Sequence, residues 1–142
     1  MKRILVCLDA SPRAVFVLQT ATELAVKMGA KLVLLRSVGL PPEIDQEFYV
    51  HAAGSMTDML VDKAKKELDV LAKDVPAGVI EGFDVHIGTP WDTICREAVA
   101  RDCDLVVLGS HGYSGMDRIL GTTAAKVVNH CERSVLVART QI

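Results

Sequence analysis

Short apolar runs alternate with longer helical patterns from one end of this 142-residue chain to the other. Two parallel strands need a crossover connection of a dozen or more residues, a length that a helix fits well. The alternation therefore predicts an α/β fold, in which a parallel sheet lies between two layers of helices. The length is that of one domain, which we expect to span residues 1–142.

The apolar patterns predict five strands and four helices. The strands are expected over residues 3–9, 31–38, 79–87, 105–108 and 135–139. Helix one is expected to start at Ser11-Pro12, a capping residue followed by a proline at the first helical position, and to end before Gly29. The other helices are expected over residues 56–71, 90–101 and 122–131. A long loop from Gly39 to Ala53 is expected between strand two and the second helix.

Polar and apolar residues alternate along strand three. Phe83, Val85 and Ile87 alternate with Asp84 and His86. This pattern predicts a strand at the edge of the sheet with one face in water.

A strand order of 3-2-1-4-5 would place a topological switch point between strands one and four. Ligands of open α/β sheets bind beyond the carboxyl ends of the strands at such a point. The turn Asp9-Ala10-Ser11 after strand one would then face the glycine-rich run that begins at Gly109 after strand four.

The run from Gly109 to Thr123 contains four glycines and a threonine pair between a strand and a helix. Glycines let main-chain N–H groups approach a ligand closely, and the start of the helix offers unpaired N–H groups with the positive end of its dipole. The run therefore predicts a phosphate-binding loop of a nucleotide site. The alternative is a surface loop that binds nothing.

Asp9 would stand at the same edge of the sheet. It could accept hydrogen bonds from ribose hydroxyls or reach Mg²⁺ that is bound to the phosphates. The alternative is a local Asx turn before helix one, although Ser11 can already cap that helix. His111 and Arg118 could bring positive charge to phosphates, or be solvated loop cations.

No nucleophile and base pair accompanies the glycine run, and no histidine suggests a metal site. The sequence therefore favours holding a nucleotide over cleaving one.

Charge and cysteine usage exclude several classes of protein. A net charge of −2 without a long basic run argues against nucleic acid as a partner. No apolar run has the length of a membrane span, and the first apolar run is too short for a secretion signal. The four cysteines form no Cys-x-x-Cys pair, which argues against structural zinc. We expect a cytoplasmic protein with reduced cysteines.

The final strand is apolar on both faces. Val135-Leu136-Val137-Ala138 carries no charge until Arg139, and an exposed edge of that kind tends to pair with another chain. Helices over both faces would give the same pattern. The apolar composition adds weight to a homodimer that pairs through residues 135–139.

These motifs together resemble those of the universal stress protein family, nucleotide-binding type, over essentially the whole chain. The matching segments are Lys2–Val6 with Asp9 and Ser11, Gly88-Thr89-Pro90, Asp104–Gly112, Leu120–Thr123 and Ser134–Arg139. The resemblance implies a Rossmann-like fold of the adenine nucleotide α-hydrolase type. It also implies dimerisation through strand five.

The family's ATP-binding pattern is Gly, two residues, Gly, nine residues, Gly and then Ser or Thr. Here it falls on Gly109, Gly112, Gly121 and Thr122, with only eight residues between the second and third glycines. A phosphate loop shortened by one residue could shift the preference from ATP toward AMP, ADP or another adenine ligand, or could weaken binding.

Carried over by position, the resemblance implies that Asp9 faces the ribose, with Ala10 and Ser11 beside it. The main chain at Ser37 and Val38 would meet adenine. The residues implied at the phosphates are Leu108, Gly109, Ser110, His111, Gly112, Gly121, Thr122 and Thr123.

The resemblance implies an ATP-binding module of stress response or signalling, with Mg²⁺ near Asp9 only through the nucleotide. Bound nucleotide would change the loop 39–53 or the dimer surface, and so the choice of an unidentified protein partner. Two alternatives stay open. One is a slow ATPase or phosphotransferase that uses Asp9, and the other is a dimeric scaffold that binds no nucleotide.

Overall fold

The computed structural model describes residues 1–39, 46–110 and 120–139, and for residues 46–55 it describes the backbone alone. Strands and helices alternate along the chain, as the sequence predicted. In order they are β1 (Arg3–Cys7), α1 (Ala14–Met28), β2 (Lys31–Val38), α2 (Gln46–Ala72), β3 (Ile80–Ile87), α3 (Pro90–Ala100), β4 (Leu105–Gly109), α4 (Thr122–His130) and β5 (Ser134–Ala138).

The five strands form one sheet in the order β3-β2-β1-β4-β5. Every neighbouring pair is parallel, so the predicted fold class and strand order are confirmed. The chain proceeds from β1 through β2 to β3 on one side and returns to place β4 on the other side of β1. The switch point therefore lies where β1 and β4 end.

Two hydrophobic cores lie on opposite faces of the sheet, which makes the fold a three-layer sandwich. Ile4 and Val6 of β1 pack against α1 and α2 on one face, in the same core as Leu68. Leu5 points to the other face and packs with α3 and α4, in the same core as Val127. Successive side chains of a strand alternate between faces, so a central strand buried on both sides is apolar throughout.

The start of α1 is later than predicted. Asp9 Oδ1 accepts a hydrogen bond from the Ser11 N–H at 2.9 Å, and the Ser11 C=O accepts one from the Ala14 N–H at 3.2 Å. These bonds form a turn before the helix, with Arg13 rather than Ser11 at the N-cap. The predicted end is confirmed, because Gly29 adopts φ 67° and its N–H bonds to the C=O of Ala25.

The start of α2 is earlier than predicted. It begins at Gln46, so the prediction of a loop from Gly39 to Ala53 is wrong for residues 46–53. Residues 40–45 lie outside the described part of the chain. The polar sequence of residues 46–53 lacks the regular apolar spacing by which a helix is predicted. None of the described helices is long and apolar enough to cross a membrane.

The edge position predicted for β3 is confirmed. The polar face of the strand, which was predicted to lie in water, is partly covered by other residues of the chain. Asp84 and His86 are half-buried. Asp84 forms an ion pair with Arg101, and His86 contacts the carboxylate of Glu97 from α3. Phe83, which alternates with them, is 44% exposed. Ion pairing with a neighbouring helix lets a polar strand face leave water, and this contact is not visible in the local sequence.

Candidate functional site

The chain leaves the core at the carboxyl end of β1. Leu8 is still buried, while Asp9 and Ala10 are exposed. The hydrogen bond from Ser11 to Asp9 Oδ1 forms the Asx turn that was the alternative to a ligand role. A carboxylate has two acceptor oxygens, so this turn and a ligand contact are compatible.

Ser110 ties together both ends of the glycine-rich run. Ser110 directly follows β4 and is only 2% exposed. Its N–H donates a hydrogen bond to the C=O of Ala138 in β5 at 3.2 Å. Its C=O accepts a hydrogen bond from the Gly121 N–H at 2.9 Å. Residues 110 and 121 are therefore neighbours at the edge of the sheet. The predicted site residues His111 and Gly112 lie outside the described ranges.

Gly109 lets β4 end close to α1. A Cβ built at Gly109 would lie 3.2 Å from Cγ2 of Val17, tighter than nine in ten real contacts of a Cβ, so the valine side chain would have to shift. Packing against α1 is therefore one physical reason for a small residue at this position, whatever else it contributes to a ligand loop.

Among the described residues, no side chain caps the N-terminus of α4. Gly121 is the N-cap residue, and its C=O accepts the first helical hydrogen bond, from the Ala125 N–H at 2.9 Å. A Ser or Asp at this position would have bonded one of the first main-chain N–H groups of the helix. With glycine there, the N–H groups that start at Thr122 are left to other partners, at the positive end of the helix dipole.

β2 extends beyond the end of β1. The C=O of Leu35 faces β1, because it accepts a hydrogen bond from the N–H of Leu8, the residue that follows β1. The C=O of Val38 faces β3, because it accepts one from the Gly88 N–H at 3.1 Å. Main-chain groups alternate between the two neighbours along a strand. Those of Ser37 therefore face the space beyond β1, while its Oγ donates to the C=O of Gly88 at 3.2 Å.

The structure thus brings the predicted segments to one edge of the sheet. The residues placed there are Asp9, Ala10 and Ser11 after β1, Ser37 and Val38 at the end of β2, Leu108, Gly109 and Ser110 at the end of β4, and Gly121, Thr122 and Thr123 at the start of α4. This edge offers main-chain donors beside a carboxylate. Such an arrangement can bind an anion that also carries hydroxyl groups.

The chain has four cysteines. All four are free, and burial raises the pKa of Cys95 to about 12 and that of Cys103 to about 11. Burial also raises the pKa of Cys7. A thiol that stays protonated at neutral pH is a weak nucleophile, so Cys7, Cys95 and Cys103 are suited to packing rather than to nucleophilic attack.

A second polar cluster was missed by the sequence analysis. His86 lies beside the carboxylates of Asp84 and Glu97, although no histidine suggested a metal site. Burial disfavours the charged form of Asp84, but its contacts with His86, Glu97 and Arg101 outweigh that effect and lower its pKa. The available signal was an Asp-x-His spacing, which puts both side chains on one face of a strand.

Comparison with known proteins agrees with this architecture. A model of the universal stress protein family matches residues 1–139. The chain belongs to this family. Universal stress protein A homolog 2 of Coxiella burnetii is 30% identical over 139 residues, which cover 97% of this chain and 94% of that protein.

Solved universal stress proteins share the fold. UspA from Lactobacillus plantarum has a TM-score of 0.80 and 26% identity, with 97% of each chain covered. A universal stress protein in complex with cAMP has a TM-score of 0.67 and 23% identity, with 99% of this chain and 98% of that one covered. Another, from Archaeoglobus fulgidus in complex with dAMP, has a TM-score of 0.58 and 20% identity, with 96% and 97% covered.

Proposed function

We propose that this universal stress protein binds an adenine nucleotide at the edge where β1 and β4 end, and that it acts as a stress-response or signalling module. The observation that carries the proposal is the start of α4, which has a glycine at its N-cap and is held at this edge by the bond between Gly121 and Ser110. The solved relatives in complex with cAMP and dAMP support an adenine ligand. The free thiols fit the reducing cytoplasm, where we place the protein.

Each part of a nucleotide has a matching group in this proposal. The phosphates lie against the main-chain N–H groups of Thr122 and Thr123 and against the loop from Gly109 to Gly112. The exposed carboxylate of Asp9 accepts hydrogen bonds from the ribose. Adenine, whose edge has both donors and acceptors, meets the main chain of Ser37 beyond the end of β1. The main chain of Val38, which the resemblance also assigned to adenine, faces β3 instead, where its C=O is bonded to Gly88.

The reference ligand in this proposal is ATP with Mg²⁺, in which the metal reaches Asp9 only through the nucleotide. AMP and ADP are alternative ligands, because only eight residues separate Gly112 from Gly121, one fewer than in the family's ATP-binding pattern. A shorter loop encloses fewer phosphates. Titrations with ATP, ADP and AMP would rank the three ligands directly.

Asp9→Ala is expected to weaken binding of Mg-ATP by at least about tenfold. A hydrogen bond to a charged group contributes on the order of 1.5–3 kcal/mol, and each 1.4 kcal/mol is about tenfold in affinity. Calorimetric titration of nucleotide-stripped protein measures the change. Asp9→Asn is the matched control, since its amide oxygen can still accept the Ser11 N–H and preserve the turn.

The same variant separates a binding module from an enzyme. A slow ATPase or phosphotransferase that uses Asp9 would lose turnover in Asp9→Ala while its affinity for ATP survived. Unchanged affinity, in a variant shown to be folded, would contradict the ribose contact.

We propose further that β5 pairs with β5 of a second copy. This strand is the edge of the described sheet, and Val135, Leu136 and Val137 are only half-buried. The C=O of Ala138 faces β4, because it accepts the Ser110 N–H. The main-chain groups of Val137 therefore face outward, where they can bond to another strand.

Val137→Pro is expected to shift the protein from dimer to monomer, with an apparent dimer affinity at least about tenfold weaker. Proline removes one outward N–H without touching the ladder to β4, and edge strands tolerate it. Light scattering after size exclusion, over a range of concentrations, measures the shift. Val137→Ala keeps the N–H and serves as the control. A dimer that survives Val137→Pro unchanged would rule out pairing through β5.

A further inference from the structure

We propose that Asp84, His86 and Glu97 bind a divalent transition metal ion, with Zn²⁺ the best fit, between β3 and α3. This site is separate from the proposed nucleotide site and does not depend on it. The metal would fasten the edge strand to the helix that covers it.

The three side chains present their donor atoms to one point. Asp84 and His86 are two residues apart on β3 and so share a face, and Glu97 reaches them from α3. Nε2 of His86 lies 2.8 Å from Oδ1 of Asp84 and 3.3 Å from Oε1 of Glu97. All three donor atoms lie within 4.8 Å of one another.

Two of these separations are close to the spacing of ligands around one ion. Ligands bound tetrahedrally to Zn²⁺ at about 2.0–2.1 Å are about 3.3 Å apart. The distance from His86 to Glu97 already has this value. The distance from His86 to Asp84 needs to widen by only about 0.5 Å to admit the ion.

The histidine nitrogen is buried against the two carboxylates. One oxygen of Asp84 and one of Glu97 lie close to Nε2 of His86. A metal ion bound at Nε2 would therefore have both oxygens within reach as further ligands.

Arg101 orients both carboxylates toward this point. Its Nε and Nη2 each lie 2.8 Å from Oδ2 of Asp84, and its Nε lies 3.3 Å from Oε2 of Glu97. One oxygen of each carboxylate is thus held by the guanidinium, and the other faces His86. Partners that hold the outer atoms of metal ligands in this way fix the ligands' orientation and contribute to affinity.

The donor set indicates the class of metal. Imidazole nitrogen suits zinc and its neighbours in the first row, whereas Mg²⁺ and Ca²⁺ prefer oxygen alone. Two carboxylates beside one guanidinium leave a net negative charge that attracts a cation, and an imidazole is neutral when it binds a metal. A water molecule would complete tetrahedral coordination of Zn²⁺.

Calorimetric titration of nucleotide-free, chelator-treated protein with Zn²⁺ tests the site. One equivalent is expected to bind, and His86→Gln and Glu97→Gln are each expected to weaken binding by at least about tenfold. Asp92→Asn is the matched control on α3, because Asp92 pairs with Arg96 at 3.0 Å outside the cluster. His130→Gln controls for the loss of a histidine. Neither control is expected to change the affinity.

Co²⁺ absorption spectra separate this cluster from the cysteines. Ligation by nitrogen and oxygen gives weak bands in the visible range, whereas a thiolate ligand adds an intense charge-transfer band in the near ultraviolet. We expect no such band. Zn²⁺ should also raise the melting temperature of the wild-type protein but not that of the folded His86→Gln or Glu97→Gln variant.

Three results would overturn the proposal. They are no binding at sub-millimolar Zn²⁺, binding that both cluster variants retain, and a thiolate band with Co²⁺. The cluster would then be an ion-pair network alone. The two variants alter different elements, β3 and α3, so one of them still reports if the other fails to fold.

Discussion

Leu68→Ala is expected to lower the free energy of unfolding by about 3 kcal/mol, within the range of roughly 2–5 kcal/mol typical of buried leucines. Leu68 is 0% exposed and lies in the core between α2 and the sheet. Truncation removes apolar contacts and leaves a cavity that the surrounding side chains close only in part. α2 should then be held less firmly against the β2 and β3 side of the sheet.

Urea and thermal unfolding measure this loss. The melting temperature is expected to fall by about 10 °C, given about 3 °C per kcal/mol in a chain of this size. Val70→Ala is the matched control on the same helix, because Val70 is 62% exposed. The control should change stability by less than about 0.5 kcal/mol. Equal effects of the two variants would contradict the packing of α2 through Leu68.

Gly121→Val is expected to weaken nucleotide binding at least about 100-fold, or about 2.7 kcal/mol. The side chain of an N-cap residue lies over the first N–H groups of its helix. A valine there would cover the donors that the proposal assigns to phosphate, and an apolar group cannot replace them.

The backbone itself should tolerate Gly121→Val. Gly121 has φ −59° and ψ 157°, a conformation open to any residue. Its bonds to Ser110 and Ala125 are main-chain bonds, which valine can retain. Gly121→Ala, with a smaller side chain, should give an intermediate loss of affinity. A thermal melt of each variant shows whether the fold survives.

The sheet could be predicted because its signals are local. The apolar run over Lys31–Val38 predicts β2 with the bounds that the structure has, and Gly29 ends α1 through its own positive φ. The strand order was predicted correctly, as the common order of such folds. The start of α1 was predicted incorrectly, because Ser11 can serve either as a helix cap or as part of a turn. The carboxylate of Asp9 accepts the Ser11 N–H and so favours the turn.

Two other features have no signal in the local pattern. α2 starts at Gln46, where the sequence lacks amphipathic spacing and so predicts a loop. The polar face of β3 was expected in water because its partners, Glu97 and Arg101, come from α3 and its end.

The candidate site likewise has parts that the sequence predicts and parts that depend on tertiary contacts. The edge that holds Asp9 and Gly121 follows from strand order and from glycine spacing, both of which the sequence shows. The close approach of Gly109 to Val17 requires knowledge of how α1 packs. The cluster around His86 joins residues of a strand and of the next helix, so no single motif could predict it.

Calorimetric titration of nucleotide-stripped protein with Mg-ATP and with AMP, beside the Gly121→Val variant, tests the central claim most directly. The account predicts micromolar binding of at least one nucleotide and its loss in the folded variant, while the affinity for Zn²⁺ stays unchanged. Absence of heat with both nucleotides from folded protein, or equal binding by Gly121→Val, would contradict a nucleotide site at the start of α4.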